Sequence, residues 1–128
     1  MILSIETSTT VCSVALHHQA TLLTDTNFYL EKSHSSMLAV AVEQILSNTS
    51  SKTSDLLAVA ISEGPGSYTG LRIGTSLAKG MCFALKIPLI TIDTLDILTE
   101  EVMTFGLTSS EGLLAPMIDA RRMEVYMQ

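Results

Sequence analysis

The chain has 128 residues, enough for one real core: surface scaling leaves roughly 6,600 Å² exposed when folded against about 20,000 Å² unfolded. With 47% hydrophobic and 16% charged residues it is not a disordered chain, and no apolar run approaches the ~18 residues a membrane helix needs. The net charge of −6, with Arg121 and Arg122 the only adjacent bases, argues against a chain that grips nucleic acid by itself, although a larger assembly could supply the missing charge.

The start, Met1-Ile2-Leu3-Ser4-Ile5-Glu6, lacks a basic stretch and meets an acid at once, so it does not read as a signal peptide. Cys12 and Cys82 are far apart in apolar surroundings and fit two buried thiols of a cytoplasmic protein better than a disulfide or a metal site.

In chain order, Met1 to Thr7 reads as a short buried strand, Val11 to His18 as a second and Thr21 to Leu30 as a third, joined by tight connections in an antiparallel meander. Ser33 to Asn48 is helical: Met37, Leu38, Ala41, Val42, Ile45 and Leu46 recur on one face, with Ser33 as N-cap. A polar loop follows, in which Thr53 or Ser54 caps a short turn. Leu57 to Ser62 is a continuous apolar run of the kind found in a strand covered on both faces. Gly64 to Gly70 is a loop, and a helix is expected from about Gly70 to Leu85, ended by Pro88. Leu89 to Ile92 is a strand, Thr94 to Met103 a helix capped by Thr94, and Thr108 to Gly112 a linker. Met117 to Asp119 and Met123 to Tyr126 are the arms of a hairpin, and an edge strand stopping at Gln128 is odd for a complete protein. The expected division is therefore an α/β lobe over 1–104, a mixed sheet flanked by helices, followed over 105–128 by a linker and the first hairpin of a second lobe.

Two segments stand out together: Ile2-Leu3-Ser4-Ile5-Glu6-Thr7-Ser8-Thr9 running into Cys12-Ser13-Val14-Ala15-Leu16, and Gly64-Pro65-Gly66-Ser67-Tyr68-Thr69-Gly70-Leu71-Arg72-Ile73-Gly74. With His34-Ser35 and the stretch from Ile118-Asp119-Ala120-Arg121 through Glu124-Val125-Tyr126, the chain resembles the TsaB (YeaZ) family of the bacterial tRNA threonylcarbamoyladenosine machinery. The resemblance runs in order along the whole chain, and the second segment is its most specific part. It implies an actin/Hsp70/sugar-kinase type (ribonuclease H-like) fold of two related lobes, of which this chain is the first plus an opening hairpin. It implies a cytoplasmic, non-catalytic subunit that pairs with the catalytic protein TsaD. With the ATPase TsaE, that assembly transfers a threonylcarbamoyl group to N6 of adenosine 37 in tRNAs reading ANN codons. It also implies that ATP is used by the assembly, that the chain alone holds no cofactor or metal, that tRNA is met only through the complex, and that homodimers can form. Older descriptions of the group as glycoprotease-like leave an alternative, a stand-alone peptidase or small-molecule kinase of the same superfamily.

The residues themselves bear on these expectations. Catalytic relatives carry an Asp and a Gly in the first strand-turn-strand; here Glu6-Thr7-Ser8-Thr9 keeps a carboxylate without the glycine that lets backbone approach a phosphate, so Glu6 reads either as a nucleotide-site acid or as a strand-end acid bonded to nearby hydroxyls. His34 has Leu38, not a second His, four residues on, and His17 and His18 point to opposite strand faces, so neither makes a metal pair. The glycine-rich turn opening onto a helix N-terminus is a possible anion site, with Glu6, Ser8, Gly64, Gly66, Ser67 and Gly70 as its candidates; its other reading is a structural turn. It is neither a Walker loop nor a nucleophile elbow, for no Lys-Ser/Thr pair follows and Ser67 sits directly after Gly66. Finally, Gly70, Gly74 and Ala78 recur every four residues, with Gly80 and Ala84 beyond. Helix-interior glycines cost about 1 kcal/mol each, so something must approach closely. Either the lobe's own sheet does, or a partner does, across an interface of Met37, Val40, Ala41, Gly70, Gly74, Leu77, Ala78 and Met81; the resemblance favours the partner.

Overall fold

The structure, a computed structural model, describes residues 1–29, 34–106 and 113–128. Strands β1 (Ile2–Glu6), β2 (Cys12–His18) and β3 (Thr21–Phe28) precede helix α1 (His34–Asn48); β4 (Ala58–Ser62), α2 (Tyr68–Leu85), β5 (Leu89–Ile92) and α3 (Thr94–Thr104) follow, and β6 (Met117–Arg121) and β7 (Glu124–Met127) close the chain.

Five strands form one sheet in the order β3-β2-β1-β4-β5. The meander is antiparallel, with Leu3 opposite Leu16 and Ile5 opposite Val14, whereas β4 and β5 join in parallel because α2 carries the chain back across the sheet. Alternation along β1 and β2 sends Leu3, Ile5, Cys12, Val14 and Leu16 to one face, where they meet Val59 and Ile61 of β4 and are covered by Leu38, Ala41, Val42, Ile45 and Leu46 of α1 and Ala78 and Cys82 of α2. Both helices thus lie on the same side of the sheet and touch each other. All five residues of β4, which lies between β1 and β5, are buried, but Leu57 before it is 69% exposed, so the burial begins one residue later than the apolar run.

Two helix starts differ from the sequence expectation. α2 begins at Tyr68, not Gly70, because Ser67 is its N-cap and its Oγ accepts from the Gly70 backbone N–H. α3 is capped by Asp93 rather than Thr94: the Asp93 carboxylate accepts from the Leu95 N–H at 2.7 Å, and Thr94 is already the first helical residue. At the other end of α2, Lys86 in the left-handed region (φ 55°) closes the helix ahead of Pro88, its N–H donating to the Cys82 carbonyl. The Ser33 cap and the Thr108–Gly112 linker lie outside the described residues, as does the His34 side chain. β6 and β7 form a separate two-stranded sheet.

Candidate functional site

The first turn of the chain and the glycine-rich loop meet. The Ser8 N–H donates to Glu6 Oε1 at 2.6 Å, and the Ser62 hydroxyl, at the end of β4, donates to the same oxygen at 2.8 Å. From the loop, the Ser67 N–H donates to the Ser8 carbonyl at 2.6 Å. Glu6 is therefore a brace across the ends of β1 and β4. Its charge also adds to burial, the larger cause, in pushing the Cys12 thiol pKa above its ordinary value.

The glycines of the second segment lie over this turn. A Cβ on Gly66 would stand 2.5 Å from the Ser8 carbonyl oxygen; on Gly70 it would strike the Thr7 carbonyl, and on Gly74 the Thr7 hydroxyl. Thr7 and Ser8 are in turn 2% exposed. The helix thus approaches the β1–β2 turn at backbone contact, and only residues without side chains permit it. Gly64, at φ +112°, occupies a conformation that favours glycine, and its carbonyl accepts from the Thr94 N–H, tying the loop to α3.

Of the anion-loop candidates, the structure brings Glu6, Ser8, Gly66, Ser67 and Gly70 together, but in bonds and contacts with each other and with Thr7. The Ser8 hydroxyl is buried without a partner among the described residues. Beside this cluster, at the carboxyl ends of β4 and β5, lies an open cleft of about 500 Å³ lined by Glu63, Gly64, Pro65, Gly66, Tyr68, Leu71, Asp93 and Tyr126. Two carboxylates, two phenols and no base make a poor receptacle for phosphate. Glu63, Asp93, Tyr68 and Tyr126 were not singled out from sequence. The available signal was that Glu63 and Asp93 directly follow two parallel strands, where open α/β sheets place their ligands. No group of three or more His, Cys, Asp or Glu able to hold a metal occurs among the described residues.

The interface candidates divide. Ala41, Gly70, Gly74 and Ala78 are buried in the lobe itself, so they correct the sequence expectation: the close approach that Gly70 and Gly74 allow is to the lobe's own turn at Thr7. Val40 is 50% exposed, and Met37, Leu77 and Met81 are half-buried. Outward on α2 stand Phe83, at 89% exposure and outside the candidates read from the sequence, and the small residues Gly80 and Ala84, with nothing within 4 Å of a Cβ on Gly80. Arg72 and Tyr68 pair on the same helix, the guanidinium 5.4 Å from the ring centre.

Against known families, the model described as TsaD, tRNA N6-adenosine threonylcarbamoyltransferase, matches residues 29–128. The chain belongs to this family. Within it, the similarity over nearly the whole chain is to TsaB. The chain is 37% identical over 125 residues to the tRNA threonylcarbamoyladenosine biosynthesis protein TsaB of Bacillus subtilis, covering 98% of this chain and 52% of the relative. It is 36% identical over 126 residues to TsaB of Escherichia coli, with the same two coverages. By contrast, the tRNA N6-adenosine threonylcarbamoyltransferase of Anaplasma phagocytophilum matches 65 residues at 34% identity. The solved structure of YeaZ from Pseudomonas aeruginosa superimposes with a TM-score of 0.87 at 33% identity, over 98% of this chain and 57% of that one. The five-stranded mixed sheet flanked by helices is thus an actin/Hsp70/sugar-kinase-like lobe, and the chain spans about half the length of the curated relatives it matches. Among the described residues no helix is long and apolar enough to cross a membrane.

Proposed function

We propose that the chain acts in tRNA threonylcarbamoyladenosine biosynthesis as a non-catalytic assembly subunit that binds a TsaD-like catalytic protein. The observation that carries this reading is the state of Glu6: the acid that would serve a nucleotide or metal is a structural brace holding Ser8 and Ser62, and the glycines beside it are filled by backbone. The TsaB relatives supply the process, and the family resemblance supplies the partners, TsaD and a TsaE-like ATPase. On this reading the chain binds no cofactor alone, ATP is used by the assembly, and the protein works in the cytoplasm.

The partner surface is the outer side of α1 and α2, where Val40, Phe83 and Gly80 stand clear of the lobe. A helix pair offering exposed apolar groups fits a second helix pair, as in a four-helix cluster, and the same surface serves a homodimer when TsaD is absent.

The test is reconstitution. Purified chain, the TsaD and TsaE proteins of the same source, ATP, threonine, bicarbonate and unmodified tRNA are combined with the enzyme that makes the threonylcarbamoyl adenylate. Modification that needs this chain, and that persists with Glu6→Gln at a temperature where that variant stays folded, supports the reading. Modification without the chain, or ATP turnover by the chain alone that Glu6→Gln abolishes, contradicts it.

A further inference from the structure

The β6–β7 hairpin carries a turn that its own residues do not favour. Arg121, Arg122 and Met123 all have positive φ, at 66°, 54° and 65°. Two-residue hairpin turns of this hand are the usual province of Asn and Gly, and three consecutive left-handed residues without a glycine are uncommon. The conformation is held from one side: the Asp119 carboxylate accepts from the Arg121 N–H at 2.7 Å, and Arg121 pairs with Glu124 in the ladder after a register shift. Asp119 is thereby occupied with backbone, and neither guanidinium has an ion-pair partner among the described residues. Both arginines are exposed. They are the only adjacent bases in a chain of net charge −6. Backbone held in sparsely populated conformations is a feature of sites where placement of a side chain matters more than local stability.

We infer that the Arg121–Arg122 tip of the β6–β7 hairpin is this chain's contact with the phosphodiester backbone of an RNA. The inference rests on the proposed role in a tRNA-modifying assembly, which supplies the RNA; the tip supplies paired guanidinium groups, whose planar forks suit phosphate oxygens. On a chain of net charge −6, the paired exposed bases are where a polyanion is attracted most strongly. The contact is therefore small: two phosphates, positioning rather than sequence-reading.

Two phosphate contacts give a defined salt dependence. With a slope of about 0.7 to 0.9 per phosphate, raising monovalent salt from 50 to 200 mM weakens binding by about 7- to 12-fold. The experiment measures fluorescence anisotropy of labelled unmodified tRNA titrated with the complex of the chain and the TsaD protein at 50, 100 and 200 mM salt. It compares wild type with Arg121→Gln/Arg122→Gln, Arg121→Lys/Arg122→Lys and Met123→Gly, each checked by circular dichroism. The wild type and Met123→Gly complexes should show the same slope, the Lys pair should keep most of it because the charge is retained, and the Gln pair should lower it by the two-phosphate share. Binding of the TsaD partner, read separately, should be the same for all four. A folded Gln pair that binds TsaD and leaves the affinity and slope of the complex for tRNA at wild type overturns the inference while partner binding leaves the proposed function standing. A Gln pair that loses the TsaD protein assigns the arginines to a protein contact and also overturns it. Wild type that does not bind the TsaD protein overturns the proposed function and, with it, the inference.

Discussion

The two halves of α2 use small residues for opposite purposes. In the first half, Gly70 and Gly74 lie on the Thr7–Ser8 turn so closely that a methyl group does not fit. In the second half, Gly80 has nothing within 4 Å of where its Cβ would be, and its neighbours Phe83 and Ala84 are exposed. The first half thus repays the helix cost of glycine inside the lobe. The second half repays it with nothing the lobe contains, which makes it the better candidate for a surface that another protein covers. A four-residue spacing of small side chains says which stripe of a helix admits close approach; it does not say whose backbone arrives.

Substitution at the two halves separates these roles. Gly74→Val and Gly70→Val should each destabilise the chain by about 3 kcal/mol, because a branched side chain must displace the Thr7 backbone or hydroxyl. Urea midpoints read this directly, and a midpoint equal to wild type for either would show that the turn yields. Next in size, Glu6→Ala strands the Ser8 N–H and the Ser62 hydroxyl and should cost about 1–3 kcal/mol in the same assay. Removing the caps, Ser67→Ala or Asp93→Ala, should cost about 1 kcal/mol each. Gly80→Ala should go the other way, raising the stability of the isolated chain by about 0.5–1 kcal/mol. If Gly80→Ala is as harmful as Gly74→Val, the distinction between the halves fails.

The Cys12 thiol gives a smaller, pH-dependent signal. Its pKa is raised in the fold, chiefly by burial and then by Glu6, so the protonated form is the one the native state favours. The stability this contributes is fully present below the ordinary thiol range and is lost as pH rises into and above it, where the unfolded chain gains by ionising. Thiol labelling at pH 8 should therefore be slow in the native chain and fast in denaturant; rapid native labelling of Cys12 would contradict its burial.

Much of the fold was legible because its signals are local. The alternation in β1 and β2, the heptad-like run of Leu38, Ala41, Val42, Ile45 and Leu46, and the unbroken apolar β4 each follow from one element's own pattern. The site was less legible because it is made between elements. Nothing in Thr7 marks it as the floor under Gly70 and Gly74, and nothing in Asp93 alone places it across a cleft from Tyr126. Asp93 and Thr94 are both good caps, and only the path of the backbone decides between them. Phe83 escaped notice for a similar reason: it lies beside the α2 stripe that reads as interface, and that stripe is core.

The central claim is that the partner binds the outer side of α1 and α2, not the glycine stripe. Titration calorimetry of the TsaD-family protein into Phe83→Asp tests it most directly, since Phe83 is 89% exposed and a change there should alter the chain's own stability by no more than ~0.5 kcal/mol. The account predicts a folded chain with wild-type urea midpoint and an affinity for the partner lowered by about 100-fold or more, the loss expected for an aromatic anchor replaced by a charge. A Phe83→Asp chain that folds normally and binds the partner as tightly as wild type would contradict it.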